Sequence, residues 1–214
     1  ECNDGYLNDI RGLHITEQNV LDAIKNAAET FEEGAVGSGT GMACMGFKGG
    51  IGSSSRVIKL GEDSYTVGAL VMSNFGSAGN LLLGGDHIGE RIEKALQDEK
   101  DKGSIMMILA TDVPLSERQL KRVAKRAGAG LARTGSIYGN GSGDISIAFT
   151  TANRVPHYAK SPVIDMKMVD DEQIDPVFRA AAEAVEEAII SSLCHAETTV
   201  GRAGHKKVSL KEYL

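Results

Sequence analysis

The 214-residue sequence has no tryptophan, only four prolines and only three cysteines. Cys2, Cys44 and Cys194 lie far apart and form no CxxC pair. That excludes a disulfide framework and zinc-finger spacing, and it suits reduced thiols in a cytoplasmic protein. No apolar run is long enough to span a bilayer and Glu1 does not open a signal peptide, so no membrane partner is expected. Positive charge is also short, with 23 Lys and Arg against 29 Asp and Glu and a net charge of −6. The one basic run, Lys121, Arg122, Lys125 and Arg126, has the spacing of a solvated helix face, which argues against nucleic acid as a partner. His14, His87, His157, His195 and His205 show no HExxH and no paired Cys/His spacing, so neither a metal nor another cofactor is expected. The sequence begins without Met, as a fragment or processed product does.

What is abundant is glycine, 26 residues without a collagen period, which calls for tight turns and close backbone approaches. Hydrophobic residues make up 42% and charged residues 24%, the balance of one globular domain. Residues 16–31 predict an amphipathic helix capped by Thr16, with Val20, Ile24, Ala27, Ala28 and Phe31 at helical spacing. A glycine-rich stretch runs from Gly34 to Gly52. Arg56–Leu60 and Tyr65–Phe75 predict two strands joined by a turn at Gly61–Glu62–Asp63. Residues 87–103 are charged: a short helix is possible at the start, and Gln97–Lys102 has the composition of an exposed linker. Ser104–Ala110, SIMMILA, then predicts a buried strand, so Gly103–Ser104 is the sharpest boundary in the chain. Ser116 caps a helix to about Ala132 whose inner face carries Leu120, Val123, Ala127 and Leu131. Asp144–Thr151 predicts another strand. Asp175 and Pro176 start a helix that turns Val177, Ala181, Ala184, Val185, Ala188, Ile189 and Leu193 inward. The alternation predicts a layered sheet-and-helix core.

Two familiar sites fail on inspection. The loop GSGTGMACMGFKGGIG at 37–52 suggests a phosphate cradle, but a P-loop needs Lys-Ser or Lys-Thr directly after its last glycine. Here Gly46 is followed by Phe47 and Lys48, and a structural glycine-rich turn is the better reading. A nucleophile elbow is also missing, because Gly139–Gly143 reads GNGSG, one residue short of GxSxG. A serine without a histidine base can use a free α-amino group, with a pKa of about 8, provided the serine is the first residue of its chain. Gly103–Ser104 meets that need, although Gly-Ser pairs are common in turns.

The surrounding residues decide the matter. DGYLNDI at 4–10, GTGMACMGFKGGIGSSSR at 39–56 and VGALVMSNFG at 67–76 resemble the β-aminopeptidases and the L-aminopeptidase/D-Ala-esterase/amidase (DmpA) family. So do GSIMMILATDVPLS at 103–116, GLARTGS at 130–136, GSGDISIAF at 141–149 and EAVEEAIISSLCHAETTVGRAGH at 183–205. The resemblance implies an α/β fold, a four-layer αββα sandwich like that of N-terminal-nucleophile hydrolases but with different connectivity. It implies a precursor that cuts its own Gly103–Ser104 bond. Residues 1–103 would then be the C-terminal part of one fragment, 104–214 the second fragment, and a further segment would precede Glu1. It assigns Ser104 as nucleophile, Asn74 as oxyanion donor, Ser142 and Asp144 as the pair that holds the Ser104 amine, and Glu1 as the group that binds the substrate amine. Because Ser142 and Asp144 are two apart, an extended segment would point both to one side. Some relatives have a tyrosine near Asn3 that helps to bind the transition state, a role this sequence does not carry over. The implied substrates are peptides or amino-acid amides or esters, and the implied assembly is a homo-oligomer of cleaved pairs. The competing readings are an ornithine-acetyltransferase-like acyltransferase, which would use threonine where this chain has Ser104, and an inactive binding or assembly module.

Overall fold

The computed structural model describes residues 2–92 and 103–214. In chain order its elements are α1 (Glu17–Lys25), β1 (Ala43–Cys44), β2 (Phe47–Lys48), β3 (Gly50–Leu60), β4 (Asp63–Asn74), α2 (Ile88–Ile92) and β5 (Ser104–Thr111), followed by α3 (Glu117–Arg133), β6 (Gly143–Thr150), α4 (Asp175–His195), β7 (Thr199–Val200) and β8 (Lys206–Lys207). The fold is a mixed α/β layering, as expected.

Four strands make the central sheet in the order β3-β4-β5-β6. The β3–β4 and β4–β5 pairs are antiparallel and β5–β6 is parallel. The turn between β3 and β4 is one residue tighter than expected, because Leu60 already pairs with Asp63. Parallel neighbours need a long crossover, and α3 supplies it between β5 and β6. Its start is legible. The Ser116 side chain accepts from the Gln119 amide while the Gln119 side chain reaches back to the Ser116 N–H. This reciprocal cap is worth about 1 kcal/mol.

One face of the sheet carries the core. Val67, Ala69 and Val71 of β4 and Ile105, Met107 and Leu109 of β5 are buried with Val123, Ala127 and Leu131 of α3 and with Ala181, Val185, Ala188 and Ile189 of α4. All seven residues expected on the inner face of α4 are buried. The basic run on α3 is partly spent on the same packing. The Arg122 and Arg126 guanidiniums lie 4.9 and 3.9 Å from the Phe178 ring centroid, and Arg118 and Arg122 pair with Asp171. Asp171 is held below the usual carboxylate range by hydrogen bonds from Gln119 and Arg118.

Two expectations are corrected. The first helix ends at Lys25, with Asn26 as C-cap, and buries none of its residues. Val20, Ile24 and Phe31 are exposed, so its apolar spacing is not buried in the described chain. The SIMMILA run does form a strand, but it is buried on one side only: Ile108 is 37% exposed while Ile105 and Leu109 are covered. The register explains this. Leu70, Ile108 and Ile147 form one row across β4, β5 and β6, and Met72, Met106 and Ile145 form the next. Ile145, Ile147 and Phe149 are also exposed, so the sheet has a second, apolar face turned away from α3 and α4. Among the described residues, no helix is long and apolar enough to cross a membrane.

The helices press closely on the sheet at Gly52, where an added Cβ would lie 2.0 Å from the Ala188 carbonyl oxygen of α4. Gly52→Ala should therefore force β3 and α4 apart and lower stability by about 1–3 kcal/mol. At Gly68, where the nearest atom to an added Cβ is 3.8 Å away, alanine should change stability by no more than about 0.5 kcal/mol. Urea unfolding of the two variants checks the contrast.

Candidate active site

The ends of three neighbouring strands meet at one edge of the sheet. β4 stops at Asn74, β5 starts at Ser104 and β6 starts at Gly143. The ladder pairs Asn74 with Ser104 and Ser104 with Gly143, so the three stand in one row. By strand alternation this row lies on the same face as Met72, Met106 and Ile145, the apolar face free of α3 and α4. Ser104 Oγ accepts a hydrogen bond from the Gly143 N–H at 3.2 Å. The ladder starts β6 at Gly143, one residue earlier than the sequence suggested.

Gly103 precedes Ser104 for a steric reason. An added Cβ would sit 1.8 Å from the Asn74 carbonyl oxygen and 2.7 Å from the Phe75 Cα. Any side chain there would push the start of β5 away from the end of β4. Residues 93–102, which include the predicted linker Gln97–Lys102, lie outside the described residues, and so does Glu1.

The Asn74 side chain is 5% exposed and pinned from two sides. Its Oδ1 accepts from the Ala43 N–H at 2.8 Å, and its Nδ2 donates to the Asn3 carbonyl at 3.0 Å. A backbone N–H can only donate and a backbone carbonyl can only accept, so these two contacts fix which end of the amide is nitrogen. A primary amide has two N–H donors, and Asn3 uses one of them. Asn3 thus takes part through its main chain.

Ser142 and Asp144 do point to one side, and the Ser142 hydroxyl donates to Asp144 Oδ1 at 2.7 Å. Asp144 pairs with Ile105 in the ladder, so its side chain is one step beyond Ser104 and on the helix-facing side of β6. Ser142 lies in the turn closed by its own N–H on the Gly139 carbonyl. The structure therefore brings Ser104, Asn74 and Gly143 into one row and sets the Ser142–Asp144 pair beside it. Tyr138 enters from the same loop. Burial and then the Asp144 charge push its phenol above the ordinary value.

Sequence reasoning missed Gly143, Ala43 and Asn3, which act through main-chain groups that carry no side-chain signature. Tyr138 had a weak signal in its position shortly before GSGD. Among the described residues, no three His, Cys, Asp or Glu side chains gather to hold a metal.

Known proteins share this arrangement of sequence and fold. Residues 1–207 match the family described as Peptidase family S58. The chain is 42% identical to a β-peptidyl aminopeptidase, BapA, of Sphingosinicella microcystinivorans, covering 96% of this chain and 56% of that protein. It is 38% identical to BapA of Sphingosinicella xenopeptidilytica, covering 97% of this chain and 55% of that protein. Among solved structures, the PH0078 protein of Pyrococcus horikoshii OT3 superposes with a TM-score of 0.93 at 56% identity, over 100% of this chain and 59% of that one. The L-aminopeptidase D-Ala-esterase/amidase of Ochrobactrum anthropi, a prototype serine aminopeptidase with a variant Ntn hydrolase fold, superposes at 0.87 with 41% identity, over 98% and 61%. The chain thus spans a little over half the length of the curated relatives it matches. With a family match that runs through all three strand ends, the chain belongs to peptidase family S58.

Proposed function

We propose that the protein is a self-processing serine aminopeptidase or amidase whose nucleophile is Ser104. The observation that carries this is the row Asn74–Ser104–Gly143, which puts a hydroxyl at the first residue of a strand beside an oriented side-chain amide. In processing, Ser104 Oγ attacks the Gly103 carbonyl carbon, the C–N bond to Ser104 breaks, and water hydrolyses the resulting ester. Ser104 is then an N-terminal residue with a free amine. In turnover that amine takes the Oγ proton as the oxygen attacks a substrate carbonyl, and it returns a proton to the departing amine. The Asn74 Nδ2 donates to the oxygen that becomes negative, and water releases the acyl group from Ser104. The Ser142–Asp144 pair holds the Ser104 ammonium between steps, and Glu1 pairs with the substrate amine.

Peptides and amino-acid amides or esters fit this chemistry, and the working unit is a homo-oligomer of cleaved pairs. The open apolar face supports the four-layer reading, with a second sheet packed over Met72, Met106 and Ile145 and walling the row that holds Ser104. The acyltransferase alternative is not favoured, because the relatives are aminopeptidases and the residue at the strand start is serine.

Ser104→Ala should abolish hydrolysis of an aminoacyl p-nitroanilide by the full-length protein; retained turnover would refute the assignment. Asn74→Ala should lower kcat by about 10²–10³-fold, the effect of losing one oxyanion donor, with KM little changed. Steady-state kinetics reads both, on the uncut Ser104→Ala chain and on processed Asn74→Ala protein, and an unchanged kcat in the second variant would remove Asn74 from the oxyanion role.

A further inference from the structure

The glycine-rich loop that failed as a phosphate cradle encloses a cation of the chain itself. Lys48, on β2, is wholly buried. Its Nζ donates to the carbonyls of Gly39 at 2.9 Å, Met42 at 2.8 Å and Gly49 at 2.7 Å. Lysine is almost never fully buried without a partner, and here the partners are three main-chain oxygens. Three acceptors match the three N–H groups of an ammonium, which has no acceptor of its own. A neutral amine would turn its lone pair toward one of these carbonyls.

The Met42 carbonyl belongs to the same peptide group as the Ala43 N–H, and that N–H is the donor that holds Asn74 Oδ1. A continuous chain results: Lys48 ammonium, Met42–Ala43 peptide, Asn74 amide. Each member polarises the next, because a peptide whose oxygen faces a cation is a stronger donor at nitrogen. The same logic applies to the side-chain amide, which accepts at Oδ1 and donates at Nδ2.

We propose that Lys48 is a positioning residue for Asn74, its buried ammonium anchoring a hydrogen-bond relay that orients and polarises the amide facing Ser104. This rests on the oxyanion role given to Asn74 above. Burial lowers the Lys48 pKa to about 8, and the titratable groups that face it, Asp4 and Cys44, oppose that shift. The ammonium is therefore the main form at neutral pH. The sign of the linkage sets it apart from a stabilising charge. The folded pKa lies below the ordinary lysine value of 10.5, so the fold gains stability as pH rises from about 8 to 10.5, the range over which the relay loses its anchor.

The test is a double-mutant cycle on the full-length, processed protein with an aminoacyl p-nitroanilide. Lys48→Met keeps the length of the side chain and removes the charge. It should lower kcat about tenfold or more with KM within about twofold, the pattern of an interaction made in the transition state. In an Asn74→Ala background the same change should cost less than about twofold, because the relay then has no end. An equal cost in both backgrounds would overturn the proposal and make Lys48 a residue of the fold alone. If Asn74→Ala is fully active while Ser104→Ala is dead, the relay fails and the nucleophile stands. If Ser104→Ala is active, the functional reading itself fails. Should Lys48→Met not fold, uncut Ser104→Ala protein labelled with ¹⁵N-asparagine, in which residue 104 has no free α-amine of pKa about 8 to titrate beside Asn74, gives the answer. The Asn74 side-chain signal, identified by its loss in Asn74→Ala, should titrate with a midpoint near pH 8. A signal that stays constant through that range would overturn the relay.

Discussion

The site depends on the register of β4 and β5. The Asn74↔Ser104 pairing holds because the other face of both strands is buried against α3 and α4, through Val67, Ala69 and Val71 on one strand and Ile105, Met107 and Leu109 on the next. A slip of one residue would turn every one of these side chains out of the core and move Ser104 to the helix side. Burial of the core therefore fixes the position of a hydroxyl that takes no part in it. The tight fit of Gly103 against the Asn74 carbonyl locks the last step of the same ladder.

The two faces of the sheet divide the labour. The face against α3 and α4 supplies cohesion. The opposite face carries rows of apolar side chains that end in Asn74, Ser104 and Gly143. Whatever covers Leu70, Ile108 and Ile147 thus also closes over the row proposed to react, and a covered row would give the Asn74 donor a drier setting in which its dipole counts for more. Beneath the row, Lys48 and the loop around it tie the amide to a charge with no direct exposure to solvent.

Much of this was legible in the sequence. Ser116 with Gln119, and Asp175 with Pro176, announce their helices because capping and proline geometry are local. The boundary at Gly103–Ser104 shows because composition changes from charged to apolar at one bond. The extent of the first helix does not show: apolar spacing at Val20, Ile24 and Phe31 records an amphipathic pattern, not whether a partner surface exists within the chain. The strand at Ser104 reads as buried on both sides because a continuous apolar run cannot say which face each layer covers. The polar contacts at Ala43, Asn3 and Gly143 are main-chain groups, so their residue types carry no trace of them. Lys48 left only a faint one, a lone lysine within a run of glycines and apolar residues.

The central claim is that Ser104 becomes an N-terminal residue by breaking the bond to Gly103. Intact-mass analysis of the unmodified, full-length, active protein tests it most directly. The account predicts two chains whose masses add to that of the precursor plus one water, the second beginning at Ser104. A single uncut chain in protein that turns over substrate would contradict it.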